Sequence, residues 1–250
     1  MPVYVLRPDH SVFSIKRQIA LVGFKLRGEE LRLFDPDDLD TLPLTRADTV
    51  VGGIGFVHRA LKRLDLEVPS LASVPAALTE FAGRKSWRGP LIEARRTVER
   101  GQSLFIKPIP EQLKLFTGLP LRQFSDLLAT SHLPDDTIVD CAELTPFVTE
   151  YRAFVMHGEI IGFRQYGGDA LLFPDTDRVR AAVAAYEDAP AAYAIDFGIV
   201  EDGRTLLVEV NDGYAVGAYG LAPIRYAAMI DARWAELRHN ISSDIQNKES

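Results

Sequence analysis

The spacing of apolar and polar positions changes several times along the chain, and each change predicts an element. Residues 3–6 form a short apolar run, 11–24 recur at helical spacing, 31–34 and 49–52 read as extended, and 55–66 return to the helical period. Strand and helix alternating in this way predict a small α/β unit with a parallel sheet. Val51-Gly52-Gly53-Ile54-Gly55 joins a strand to a helix. It lacks dinucleotide spacing and a P-loop lysine-serine pair, so a tight turn is the first reading and a phosphate cradle the second. Pro69 and Pro75 then interrupt the pattern, with short helices predicted over 76–82 and 91–100.

After Ser103 the pattern turns to antiparallel β-structure. Leu104-Phe105-Ile106-Lys107 reads as a strand stopped by Pro108 and Pro110, 125–129 as a short helix and 137–141 as another strand. Two hairpins follow, one over 150–166 turning at His157-Gly158, the other over 194–211 turning at Asp202-Gly203. Residues 175–187 and 223–237 have amphipathic helical spacing, and the polar end from about 238 reads as frayed. The expected organisation is α+β: a small α/β unit over 1–75, a larger domain over 76–240 and a disordered tail over 241–250.

The second hairpin carries the sharpest chemistry. A two-residue turn at Asp202-Gly203 sets Asp196 directly opposite Glu209, with Asn211 on the same face. Ile195, Phe197, Val208 and Val210 take the other face and anchor the hairpin on a core. Like charges directly opposite are destabilising, and no lysine or arginine lies in register to neutralise them. A divalent cation resolves the conflict, and two carboxylates with an amide suit Mg²⁺. A wet acidic face, or contact with a distant arginine, is the plainer alternative. On the first hairpin Glu150 and Arg152 share a face, a carboxylate suited to ribose hydroxyls beside a guanidinium suited to phosphate, or else an exposed ion pair. Lys107 ends an apolar strand, where its ammonium must emerge at a rim, and Lys114 lies in a stretch whose Thr117 and Gly118 suit a flexible cover. His58, His132 and His157 have no paired spacing for a zinc or nucleophile-base site and read as structural or surface residues.

Composition narrows the classes. With 250 residues, 47% of them hydrophobic, the chain can bury a large core as one large or two small domains. No apolar run approaches the roughly 18 residues of a membrane span, and the first residues read as a strand without a signal-peptide pattern, so a cytoplasmic protein with no membrane partner is expected. The single Cys141 forms no internal disulfide, and its apolar neighbours predict a buried thiol rather than a nucleophile. A net charge of -7 argues against nucleic acid as the main partner. Arg84, Lys85, Arg88, Arg95, Arg96 and Arg100 form a local basic stretch, read as a solvated helix face or an anion site.

In their order, the elements over 75–225 resemble the ATP-grasp superfamily, and within it the clade named for one arginine and two lysines. Phe105-Ile106-Lys107-Pro108 looks like the strand whose lysine reaches the phosphates, and Lys114-Leu115-Phe116-Thr117-Gly118 like the clade's replacement for the glycine-rich loop. Cys141-Ala142-Glu143-Leu144 is similar to the adenine-binding hinge, Glu150 to the ribose-binding acid and Arg152 to the clade arginine. Asp196, Glu209 and Asn211 resemble the metal spacing of peptide-forming members. The resemblance implies two α+β subdomains gripping ATP between antiparallel sheets, after a small α/β domain. It implies ATP and Mg²⁺ as cofactors, with Lys107, Lys114, Glu143, Leu144, Glu150 and Arg152 on the nucleotide. Arg152 and Lys114 would be catalytic, and Asp196, Glu209 and Asn211 would hold the metal. The activity implied is ligation of a small-molecule or peptide carboxylate to an amine through an acylphosphate; a non-ligating ATP-binding module is the alternative. The chain departs from the pattern before the first grasp strand, where only Arg84, Lys85 and Arg88 can replace the usual lysine. Its short amino-terminal unit implies no particular substrate, and oligomeric state is left open. Tyr214 and Tyr219, in the segment after Asn211, read equally as walls of an acceptor site and as core aromatics.

Overall fold

The computed structural model describes residues 2–11, 14–109 and 115–246, with side chains through His239. The first unit is a three-stranded parallel sheet in which β1 (Val3–Leu6) lies between β2 (Leu31–Phe34) and β3 (Thr49–Val51). All four residues of β1 are buried, as a central parallel strand covered on both faces requires. Gly53 caps α2 (Ile54–Arg63), so the glycine-rich stretch is the strand-to-helix turn its first reading made it.

The other helix of this unit, α1 (Ile15–Leu26), packs on the long carboxy-terminal helix, Pro223–Gln246. Contact is close at Gly23, where a Cβ would stand 2.0 Å from the carbonyl oxygen of Pro223. Alanine there gains about 1 kcal/mol of helix propensity. It must also push one helix backbone off another, an overpacking strain of about 1–3 kcal/mol. Gly23→Ala should therefore lower the denaturation midpoint despite the better helix former; a raised midpoint would mean the two helices are not in this contact.

The rest of the chain builds two four-stranded antiparallel sheets. In the first, β4 (Ser86–Pro90), β5 (Leu104–Pro108), β6 (Leu119–Leu121) and β7 (Ile138–Glu143) take the order β4-β7-β5-β6. The short helix α3 (Thr79–Ala82) precedes this sheet, following a 3-10 turn over Ala76–Leu78. Behind it, α4 (Leu91–Glu99) and a 3-10 segment over Phe124–Thr130 close a core around Leu91, Val98, Leu104, Ile106 and Val139. The basic stretch is thus not one helix. Arg88 lies on β4, and only Arg95 and Arg96 belong to α4.

The second sheet has the order β11-β10-β8-β9, from β8 (Phe147–Met156), β9 (Glu159–Gly168), β10 (Ala192–Val200) and β11 (Thr205–Asp212). One face of β10, with Tyr193, Ile195 and Phe197, packs on α5 (Thr176–Ala185). On the opposite face Ala192 and Ala194 join the core shared by the parallel sheet and the carboxy-terminal helix, α6 (Pro223–Gln246), through Tyr226 and Trp234. Helix α6 runs through Gln246, beyond the predicted end at residue 237.

The hairpins differ in how they turn. His157 and Gly158 both have positive φ (50° and 77°), the two-residue turn that was expected. The other has three loop residues, 201–203, because the Val200 amide donates to the carbonyl of Arg204, and Gly203 sits at φ +85°. One extra residue on β11, Val208, restores the register, so Asp196 still faces Glu209.

Candidate active site

Between the two antiparallel sheets lies a cavity of about 820 Å³, within the range of small-molecule sites. The first sheet contributes Trp87, Arg88, Phe105, Lys107 and Asp140; the second contributes Glu150, Tyr166, Val208 and Glu209. Residues 144–146, which link β7 to β8, close one end. Register sets Arg88, Asp140 and Lys107 side by side across three strands. Arg88 forks onto Asp140 at 2.8 and 3.3 Å. Lys107 instead crosses the cleft, its Nζ donating to Glu209 Oε2 at 2.7 Å.

Glu209 also accepts from Asn211 Nδ2 at 2.8 Å. Burial works to raise the Glu209 carboxyl, but Lys107, Asn211 and Arg152 outweigh it and hold the group below its ordinary value. Asp196 faces Glu209 on one side and Arg152 of β8 on the other. The arginine fork closes on both carboxylate oxygens at 2.7 and 2.6 Å, with the carboxylate almost wholly buried. This corrects the expectation that no cation lies in register. The hairpin sequence defines only one neighbour of β10, an inner strand with two. Burial, foremost, pushes the Asp196 carboxyl up to about 6; Glu209 and Glu150 add to the shift and Arg152 opposes it.

Two tyrosines complete the arrangement. Tyr166 donates to Glu150 at 2.9 Å and approaches Asp196 at 3.5 Å, and burial chiefly raises its hydroxyl pKa. Its ring stacks on Tyr219 at 5.1 Å, and the Arg152 guanidinium lies 4.8 Å from the Tyr219 ring. Tyr214, by contrast, is buried and bonded through its hydroxyl to His58 Nε2 at 2.7 Å, tying the segment after Asn211 to α2.

Of the residues singled out from sequence, Lys107, Leu144, Glu150 and Glu209 line the cavity. Asn211 joins them through Glu209. Arg152, expected on phosphate, has its fork on Asp196, and neither of that pair is part of the cavity wall. The Glu143 side chain accepts from the Lys85 amide at 3.0 Å, and Glu143 is not part of the cavity wall. Val208 lies along the cavity with Glu209, not on the core face expected for it. Lys114 lies outside the described residues. Cys141 lines the cavity as a thiol, pushed up to about 12 chiefly by burial.

Trp87, Phe105, Asp140 and Tyr166 were not identified from the sequence. Arg84, named there with Lys85 and Arg88 as a replacement for the usual lysine, also lines the cavity and donates to the Val208 carbonyl at 2.7 Å, while its buried Nε has no hydrogen-bond partner among the described residues. Among the described residues no three His, Cys, Asp or Glu side chains gather as a metal set. Glu209 and Asn211 nonetheless offer hard oxygen donors at the cavity, with the buried Asp196 behind them. The donor chemistry fits Mg²⁺ at Glu209 and Asn211, whereas both Asp196 oxygens are already held by Arg152.

Among the described residues no helix is long and apolar enough to cross a membrane. No curated protein matches the sequence. The fold is similar to that of the D-alanine–D-alanine ligase from Bacillus anthracis, at TM-score 0.57 and 12% identity over the whole of both chains. It is also similar to the D-cycloserine synthetase DcsG, at TM-score 0.58 and 13% identity over 95% of this chain and 100% of the other. The ADP complex of purK, an N5-carboxyaminoimidazole ribonucleotide synthetase, gives TM-score 0.59 and 12% identity over 94% and 77% of the two chains. Such identities speak for the fold alone. A family profile for the ATP-grasp domain of the one-arginine, two-lysine clade, family 2, matches residues 81–229, the span that builds both antiparallel sheets and most of the wall of the cavity between them, and the chain belongs to that family.

Proposed function

We propose that the chain is an ATP-dependent ligase that joins a carboxylate to an amine through an acylphosphate, with residues 76–240 as its ATP-grasp domain and 1–75 as a preceding unit. The observation that carries this reading is the Lys107–Glu209 ion pair, which spans the cleft beside Asn211 and leaves exchangeable charges of both signs at one cavity. Both partners are partly exposed, so the lysine can move to a phosphate while the carboxylate takes a cation. Bound there, Mg²⁺ would supply neutralisation of the charge that develops during phosphoryl transfer.

In this reading Lys107, Arg84 and Lys114 neutralise phosphate oxygens, with Arg84 in the place of the family's usual first lysine. Glu150, oriented by the Tyr166 hydroxyl, accepts from the ribose hydroxyls. Trp87, Phe105 and Leu144 wall the base, and the main chain at Leu144 meets its edge. Arg152 positions Asp196 instead of contacting the nucleotide. The γ-phosphoryl group passes from ATP to an oxygen of the carboxylate substrate, giving ADP and an acylphosphate. Amine nitrogen then attacks the acyl carbon, a C–N bond forms, the bond to the phosphate oxygen breaks, and the amine proton leaves to solvent. The protein's share is positioning and electrostatic stabilisation. An ATP-supplied cytoplasmic setting suits this chemistry.

Incubation with ATP, Mg²⁺ and pooled amino acids and short peptides tests the reading. ADP and condensation products, read by mass spectrometry, should appear together and only when both a carboxylate and an amine are supplied. Tight ATP binding with no turnover in any pool would leave a nucleotide-binding module instead.

A further inference from the structure

Register in the second sheet sets another like-charge pair face to face: Arg152 on β8 is directly opposite Arg164 on β9. Cross-strand partners share a face, so Arg164 projects from the face that carries Glu150, Asp196 and Glu209. The two arginines are treated differently. Asp196 neutralises Arg152. Arg164 is exposed and has no carboxylate within salt-bridge distance among the described residues. Its Nε donates to the Gly220 carbonyl at 3.2 Å and its Nη1 to the Phe163 carbonyl at 2.8 Å. These bonds orient the guanidinium without neutralising it, and Nη2 makes no hydrogen bond within the described residues.

The segment that receives Arg164 is built to pass this point. It leaves β11 just after Asn211 and crosses the β8–β9 face, where Arg152 Nη1 lies 3.5 Å from the Gly217 carbonyl and Leu221 packs over Gly162. Tyr219 and Gly220 both take positive φ (38° and 80°), a strained conformation for the tyrosine. A Cβ on Gly217 would stand 2.9 Å from the Tyr219 ring, so glycine there makes room for it. The result is a half-exposed aromatic ring one residue before the carbonyl that orients an unneutralised guanidinium, on the face of the proposed reaction centre but outside the nucleotide cavity.

We propose that Arg164, with Tyr219 beside it, anchors the free carboxylate of the amine-bearing substrate, an amino acid or short peptide. The site rests on the ligase reading for the identity of that substrate. Phosphate is disfavoured as the anion because the cations suited to the nucleotide line the cavity, and Arg164 does not. A carboxylate held by the fork leaves the amine end free to reach towards Glu209.

Phenylglyoxal labelling of single arginines, read by peptide mass spectrometry, tests the anchor without turnover. With Mg²⁺ and a non-hydrolysable ATP analogue present, Arg164 should be labelled. A pool of amino acids and dipeptides with free carboxylates should protect it, and the matching carboxamides should not. Equal labelling in both pools overturns the proposal. In the condensation assay Arg164→Ala should raise KM for the amine roughly tenfold or more, as loss of a charged hydrogen bond does. KM for ATP should stay unchanged, and Arg164→Lys should recover part of the loss. Turnover in the native protein with an unchanged amine KM in Arg164→Ala would end the anchor and leave the ligase. Carboxylate-specific protection without ADP release in any pool would end the ligase reading and leave the anchor.

Discussion

Arg152→Ala should destabilise the protein by about 3–5 kcal/mol, because it strands a carboxylate that is almost completely buried. Asp196 is boxed in by Glu209, Glu150 and Tyr166, none of which can supply a positive charge. The loss should depend on pH with a definite sign. Burial already raises the Asp196 carboxyl to about 6 against the pull of Arg152, so without the arginine it rises further. A carboxyl whose folded pKa is raised favours the fold at low pH and loses that contribution as pH rises through the folded value. The deficit of Arg152→Ala in urea denaturation should therefore be smaller at pH 5 than at pH 8. Leucine at both Arg152 and Asp196 should recover most of it, since two well-packed apolar groups avoid the unpaired charge. An equal deficit at both pH values would mean that Asp196 is not left ionised and buried.

Lys107→Ala should reduce ATP turnover about 10²–10³-fold, the usual cost of deleting one preorganised charge from a polar site. Stability should change little, because the Lys107–Glu209 pair is partly exposed and Asn211 still donates to the carboxylate. Steady-state ADP release beside a denaturation curve checks both halves. Unimpaired turnover would show that the phosphates lie elsewhere, and a large stability loss would make the lysine structural.

How far the sequence reveals this site depends on whether the contact is local. Both hairpins and the facing of Asp196 and Glu209 were legible, because alternation and turn residues are properties of neighbouring positions. The second pairing was reached through two deviations that cancel. Its loop has three residues instead of two, and Val208 adds one back. That extra residue, and a similar one at Tyr166 on β9, also turn side chains into the cavity that simple alternation does not place there. Arg152 as the neutraliser of Asp196 was out of reach, since it requires knowing that β8 lies beside β10. Arg88 reads as part of a basic helical stretch because β4, Ser-Trp-Arg-Gly-Pro, lacks the apolar alternation that marks a strand.

Hydrogen exchange with Mg²⁺ and a non-hydrolysable ATP analogue measures most directly whether a magnesium nucleotide fills the cleft between the two antiparallel sheets. Exchange should slow together in peptides covering residues 104–108, 141–147 and 205–212, which carry Lys107, the β7–β8 link and Glu209, while α1 and α2 are unaffected. Unchanged exchange in all three, or protection confined to the parallel sheet, would contradict the account.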